Sequence, residues 1–200
     1  RRPAFFLIKM ETQDIRIKKV KLSKGGCVEA SYTDADGNEI TLKGKNKCHN
    51  DLRVALAALV PYFADLTEQK EADDIDWSNL ESAGNVDLLR KLDVSGLSIG
   101  GDENNRIITM TGRRTLITSR VLNLNAPGVE MESETFEWGH IDDFDLAVQN
   151  VIYETKEYIL NRKWEVLQTT MFDGDPDDPF AAVTPTDDAA PVEQPDENVA

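Results

Sequence analysis

Val28-Glu29-Ala30-Ser31-Tyr32-Thr33-Asp34-Ala35-Asp36-Gly37-Asn38-Glu39-Ile40-Thr41-Leu42-Lys43 reads as two alternating strands folded back on each other. Val28, Ala30 and Tyr32 share one face at period two, and Ile40 and Leu42 alternate with Thr41 and Lys43 on the return. Between them, Asp34-Ala35-Asp36-Gly37-Asn38 holds the residue types of a tight turn: Gly for positive φ, Asp and Asn for local side-chain hydrogen bonds. A hairpin is expected, so the chain begins with antiparallel strands.

Upstream, Ile15-Arg16-Ile17-Lys18 alternates apolar with basic, and Lys19-Val20-Lys21-Leu22 continues in the opposite phase, as a bulge within one strand would produce. Gly25-Gly26 separates this strand from the hairpin. Residues 1–9 precede Met10-Glu11-Thr12-Gln13-Asp14, which reads as a natural start; they are taken as an extension, with a short added edge strand as the alternative.

Downstream, Leu52, Ala55, Leu56, Leu59, Phe63 and Leu66 form one helical stripe, with Asn50 or Asp51 as N-cap. Pro61 lies inside the stripe and predicts a kink or a break. Residues 65–87 hold eight acids and one Lys, and read as a linker with a short helical turn near Trp77. Leu92-Asp93-Val94 opens a second half, with strand candidates at 107–111, 115–124 and 129–138 and turns at Gly100-Gly101 and Ala126-Pro127-Gly128. A long helix is expected over 142–167, with Phe144, Val148, Val151, Thr155 and Tyr158 inward.

The halves align. Setting Asp51 on Asp143 places Leu52 on Phe144, Val54 on Leu146, Ala55 on Ala147, Leu56 on Val148, Leu59 on Val151 and Val60 on Ile152. The two histidines, His49 and His140, each stand just before a helix. The expected class is α+β: pseudo-duplicated antiparallel strands, each set followed by a helix, with two helices packed on one face of a sheet. The domain spans 10–170, with halves at about 14–68 and 88–167, followed by a disordered acidic tail over 171–200.

Net charge is −15, but unevenly spread. Residues 171–200 contain nine acids and no Lys or Arg, which leaves 22 bases against 28 acids up to Thr170. Taken whole, the charge argues against unassisted binding to nucleic acid or an anionic membrane. No apolar run is long enough to span a bilayer, and Cys27 and Cys48 read as two thiols in a reducing cytoplasm.

Catalytic signatures are missing. There is no GxSxG, no phosphate-binding GxxxxGK[ST], no HExxH and no Gly-rich dinucleotide fingerprint. His49 beside Cys48, and His140 near Asp142 and Asp143, lack further ligands at zinc spacing and read as polar residues at helix entrances. The expectation is a protein that is not an enzyme and takes no metal or cofactor.

The bases cluster instead. The segment 16–47 holds Arg16, Lys18, Lys19, Lys21, Lys24, Lys43, Lys45 and Lys47 against four acids. The segment 105–123 holds Arg106, Arg113, Arg114 and Arg120 against none. Both are strand regions, so a continuous sheet would carry an electropositive open face able to track a phosphate backbone, with Tyr32 or Phe136 as a stacking surface. Solvent-facing lysines also serve to blunt sheet edges, which is the alternative use of this pattern.

The tail holds five of the eight prolines in a low-complexity acidic background. Gln168-Thr169-Thr170-Met171-Phe172 resembles the bacterial sliding-clamp-binding pentapeptide. Asp177-Asp178-Pro179-Phe180 resembles the acidic, Pro-Phe-tipped tail of bacterial and phage single-stranded DNA-binding proteins, although here twenty residues follow Phe180. The resemblance implies a tail that recruits replication and repair proteins and competes with DNA for a basic groove. Gln168, Met171, Phe172, Asp177, Asp178 and Phe180 would meet the partner, with the aromatic rings as anchors. The family's body is a five-stranded barrel, which two substantial helices do not match.

The leading expectation is a single-stranded DNA-binding accessory of replication, recombination or repair, of phage or bacterial type. Lys18, Lys21, Lys43, Lys45, Arg113 and Arg114 would contact phosphates. An acidic protein-binding module, or a DNA mimic that inhibits a nucleic-acid enzyme, is the alternative. A metal-dependent hydrolase or nuclease is a third class with no motif behind it.

Overall fold

The computed structural model describes residues 15–102, 105–133 and 136–164. Three strands, β1 (Arg16–Leu22), β2 (Cys27–Thr33) and β3 (Glu39–Lys47), lead into helices α1 (Asn50–Ala57) and α2 (Val60–Leu66). A 3₁₀ turn (Lys70–Asp74) and helix α3 (Ala83–Leu89) follow. Strands β4 (Leu92–Asp102), β5 (Asn105–Thr115), β6 (Val121–Asn125) and the short β7 (Val129–Glu130) then precede α4 (Ile141–Leu160). The architecture is α+β.

All pairings within the sheet are antiparallel, in the order β3-β2-β1-β4-β5-β6, with β7 also on β5. This order reads the same outward from its centre, β1 matching β4, β2 matching β5 and β3 matching β6. The halves meet along a short seam in which Lys19, Val20 and Lys21 pair with Ser98, Leu97 and Gly96. The phase reversal in β1 is a register shift between Ile17 and Lys19, with Lys18 the extra residue. In the first hairpin the Asp34 carboxylate accepts from the Asp36 and Asn38 amides at 3.0 and 2.8 Å, and Gly37 takes φ 85°.

Helices α1, α2 and α4 pack across the seam. α1 and α2 lie over β4, α4 lies over β1, and α1 contacts α4. Two strand glycines make this close approach possible. A Cβ on Gly112 of β5 would stand 2.7 Å from the ring of Phe63 in α2, and one on Gly44 of β3 would overlap the Tyr158 hydroxyl of α4. Tyr158 instead donates to the Asn46 carbonyl at 2.9 Å. These helices lie chiefly on strands of the other half, so the two halves bury a single core.

The helix alignment holds in three dimensions. Leu52 and Phe144, Leu56 and Val148, and Leu59 and Val151 are buried pairs, while Val54 and Leu146 are 57% and 72% exposed. All five residues placed on the inner face of α4 are buried. Leu59→Ala and Val151→Ala are each expected to cost about 2–4 kcal/mol in chemical denaturation. A near-zero cost at either site would mean that its helix does not pack on the sheet.

Several boundaries differ from the sequence reading. Pro61 breaks the first helix in two, occupying the second position of α2, where its missing amide costs no hydrogen bond. His49, not Asn50 or Asp51, caps α1, its Nδ1 accepting from the Asp51 amide at 3.3 Å. The acidic linker contains α3, tied down by buried Asn85, whose side chain bonds the backbone of Asp76 and Asn79 at 2.9–3.1 Å. The expected strand over 115–124 is a turn and then β6, because the Leu116 amide donates to the Arg120 carbonyl and the Ser119 amide to the Leu116 carbonyl across a tight corner, with Ser119 at φ 60°. Of the strand expected over 129–138, the described residues form only the two residues of β7. No helix among the described residues is long and apolar enough to cross a membrane. The proposed tail, the end of the expected last helix beyond residue 164, and residues 1–9 lie outside the described residues.

Candidate nucleic-acid interface

The helices cover the face that carries Val20, Val28, Ala30, Val94, Leu97, Ile108 and Met110. Alternation sends the residues between them to the other face, which no described helix covers. One row across that face runs Lys43, Glu29, Lys21, Gly96, Thr111 and Asn125, and the next runs Thr41, Ser31, Lys19, Ser98 and Thr109. The open face is therefore built from lysines, hydroxyls and amides, with one carboxylate, Glu29, between Lys21 and Lys43. Among the described residues, none of Lys19, Lys21, Lys24, Lys43, Lys45 and Lys47 is held in an ion pair.

A cleft of about 890 Å³ interrupts this face. It exists because β4 starts well before its pairing with β1 begins: residues 92–95 have no β1 partner, and a register shift sits between Val94 and Gly96. The β1–β2 turn forms one wall, and β4, β5 and β6 form the other. Lys21, Lys24, Lys47, Arg53 and Arg113 line it, opposed by Glu29 and Asp93. Arg53 reaches it from α1 because Gly26, at φ 77°, leaves its guanidinium room.

Of the six phosphate-contact residues expected from sequence, Lys21 and Arg113 line the cleft and Lys43 lies two strands from Lys21 in the same row. Arg113 is paired with Asp93 at 2.7 Å, and Lys18, the bulged residue, with Glu39. Lys45 lies in an irregular stretch of β3, where residues 44–46 stand opposite Val28 alone, and its carbonyl accepts from the Cys27 thiol at 3.4 Å.

Arg114 does not belong to this face. It points to the helical side, donating to Glu71 at 2.6 and 2.8 Å and to Gln69 at 2.8 Å, with only 17% of its side chain exposed. Consecutive arginines on a strand must face opposite ways, which is the physical reason for the correction. The Arg114 hydrogen bonds hold the Glu71 carboxyl below the usual glutamate range. That contribution to stability is complete above about pH 4.3 and is lost as the pH falls through the lowered value. Arg114→Met is expected to destabilise by about 1–3 kcal/mol at pH 7, less at pH 3, and to leave nucleic-acid affinity unchanged. A loss of affinity without a loss of stability would return Arg114 to the binding face.

The stacking residues are also relocated. Tyr32 pairs with buried Ile17 and with Ile40, which places it on the helical side. Phe136 sits in the loop before α4 against Trp138, whose indole donates to Asp65 at 2.8 Å. This loop belongs to an aromatic cluster that includes Tyr62, Phe144 and Trp77, the last stacked on His140 with centroids 3.6 Å apart. No strand among the described residues presents an aromatic ring to the open face.

Lys19, Lys47 and Arg53 were missing from the expected contact set. Alternation from Lys21 would have found Lys19 and from Lys43 and Lys45 would have found Lys47; nothing in the strand pattern marks Arg53. The six tail residues, Gln168 to Phe180, lie outside the described residues. Among the described residues no group of three His, Cys, Asp or Glu side chains is placed to hold a metal ion. No protein-family model, curated protein or solved structure matches the chain.

Proposed function

We propose that the protein is a non-enzymatic, single-stranded DNA-binding accessory of replication, recombination or repair, of phage or bacterial type. Its open sheet face holds the strand, and its acidic C-terminal segment meets protein partners through Phe172 and Phe180. It works in the cytoplasm, in keeping with the free thiols of Cys27 and Cys48.

The observation that carries this reading is the set of lysines on the open face that no ion pair takes up, although Arg113 in the cleft is held by Asp93. On the helical side, Arg106 is taken up by Glu132 and Asp145, Arg114 by Glu71, and Lys163 by Asp51 and Glu154. On the open face at least five lysines have no ion-pair partner among the described residues: Lys19 and Lys21 lie on β1 and Lys43, Lys45 and Lys47 on β3, two strand spacings or about 10 Å away across β2. Uncompensated cations at that spacing favour a linear polyanion. The cleft, at about 890 Å³, is at the large end of the range for small-ligand pockets, about 300–1,000 Å³, which is room for part of a flexible single strand. The acidic-module reading draws less support, since several helical-side acids are already neutralised in these pairs.

Titrating a fluorescent single-stranded oligonucleotide at 50 and 200 mM salt tests the proposal. Five lysines on phosphates give a log–log salt slope of about −3.5, which is about a hundredfold loss of affinity between the two conditions. Absence of binding at 50 mM would overturn it in favour of the acidic module.

A further inference from the structure

We infer that the open face grips the sugar-phosphate backbone alone and leaves the bases in solvent, so that its ligand class is any flexible chain of phosphates. This rests on the proposed function and narrows it. Proteins that hold single strands without sequence preference ordinarily combine a basic groove with aromatic platforms, and each stacked base strengthens binding roughly fivefold to more than a hundredfold. Among the described residues the basic groove is present without the platforms. Every described strand aromatic reduces to Tyr32, and its register with Ile17 and Ile40 sets it on the helical side. The aromatic cluster of Tyr62, Trp77, Trp138 and Phe144 is packed among the helices and their loops, two of its rings in contact with buried Phe144.

What fills the face instead suits phosphates. Ser31 and Thr41 stand side by side on neighbouring strands, their hydroxyl oxygens 3.2 Å apart, and Ser98 and Thr109 continue the same row past Lys19. Hydroxyls and ammonium groups donate to phosphate oxygens, while none of them offers a plane on which a base can stack. Gly96 lies at the centre of the lysine row, and its missing side chain lets Thr111 and the Val20 carbonyl approach within 2.9 Å of where a Cβ would stand. The space beside Lys21 that a side chain at 96 would take is filled by the Thr111 hydroxyl, which adds another donor to the row.

Three fluorescent 20-mers test the inference at 50 mM salt: oligo-dT, a mixed sequence, and a chain of abasic sites with the same phosphate count. All three are expected to bind within about threefold of one another, and inorganic polyphosphate is expected to displace each. Lys21→Glu and Lys47→Glu should weaken all three by the same factor, whereas Tyr32→Ala should change none. An abasic chain that binds more than about tenfold weaker than oligo-dT would overturn the inference and leave the proposed function standing. So would a Tyr32→Ala loss confined to the base-bearing strands. If none of the three binds, the proposed function falls and this inference with it.

Discussion

Phe63→Ala is expected to lower the unfolding free energy by about 3–5 kcal/mol while keeping a single transition. Phe63 is fully buried and belongs to α2 of the first half, yet its ring lies on the backbone of Gly112 in β5 of the second. Removing the ring takes away the buried surface and leaves a cavity bounded on one side by sheet backbone, which cannot collapse to fill it. Gly112→Ala reports on the same contact from the other side. Its Cβ would stand 2.7 and 2.8 Å from two ring carbons of Phe63 and would also crowd the Asp93 carbonyl. In the double variant the ring clash disappears, so Gly112→Ala should cost less beside Phe63→Ala than alone, a coupling measurable by a double-mutant cycle. Additive costs would mean that the two groups do not touch. A denaturation curve that splits into two transitions would mean that the halves fold separately, contrary to a core built by helices packed across the seam.

That crossed packing marks where the sequence stops being informative. Period-two and period-3.6 patterns report which face of an element is apolar, and they located the first hairpin, the bulge in β1 and the inner face of α4. They say nothing of which strands a helix lies on. The second half was blurred because its glycines fall inside strands, Gly96, Gly100 and Gly101 in β4 and Gly112 in β5. Gly100 and Gly101 read as a turn, yet β4 runs through both before the chain reverses, and Gly101 sits at φ 76° in the last residues of the strand. The basic face was legible as a concentration of charge, and Lys21, Lys43 and Arg113 could be placed on it by counting. The cleft was not legible. It arises from the shortness of the β1–β4 seam, a long-range register that no local pattern encodes, and its Arg53 comes from a helix.

Reversing Lys43 and Lys45 to Glu is expected to weaken oligonucleotide binding about sixtyfold at 50 mM salt. Each lysine on a phosphate contributes about 0.7 to the salt slope, and that increment run from 1 M to 50 mM amounts to about eightfold. The slope itself should flatten by about 1.4, which separates a lost phosphate contact from a misfolded protein. Both side chains are exposed and neither is ion-paired among the described residues, so stability should hold. The acidic tail supplies the complementary experiment. Removing residues 173–200 deletes nine negative charges from a chain whose net charge is −15, which lowers its repulsion of an incoming polyanion. Binding should tighten several-fold at 50 mM and by much less at 200 mM, where the screening length falls below about 10 Å, with no change in thermal stability. In the truncated protein the two reversals should weaken binding by the same factor as in the full chain, because they act on the face and not on the tail. If the truncated protein shows no affinity for a single strand at low salt, removing the repulsion has exposed no site. The lysines are then edge protection, and the acidic-module reading takes the place of the binding face.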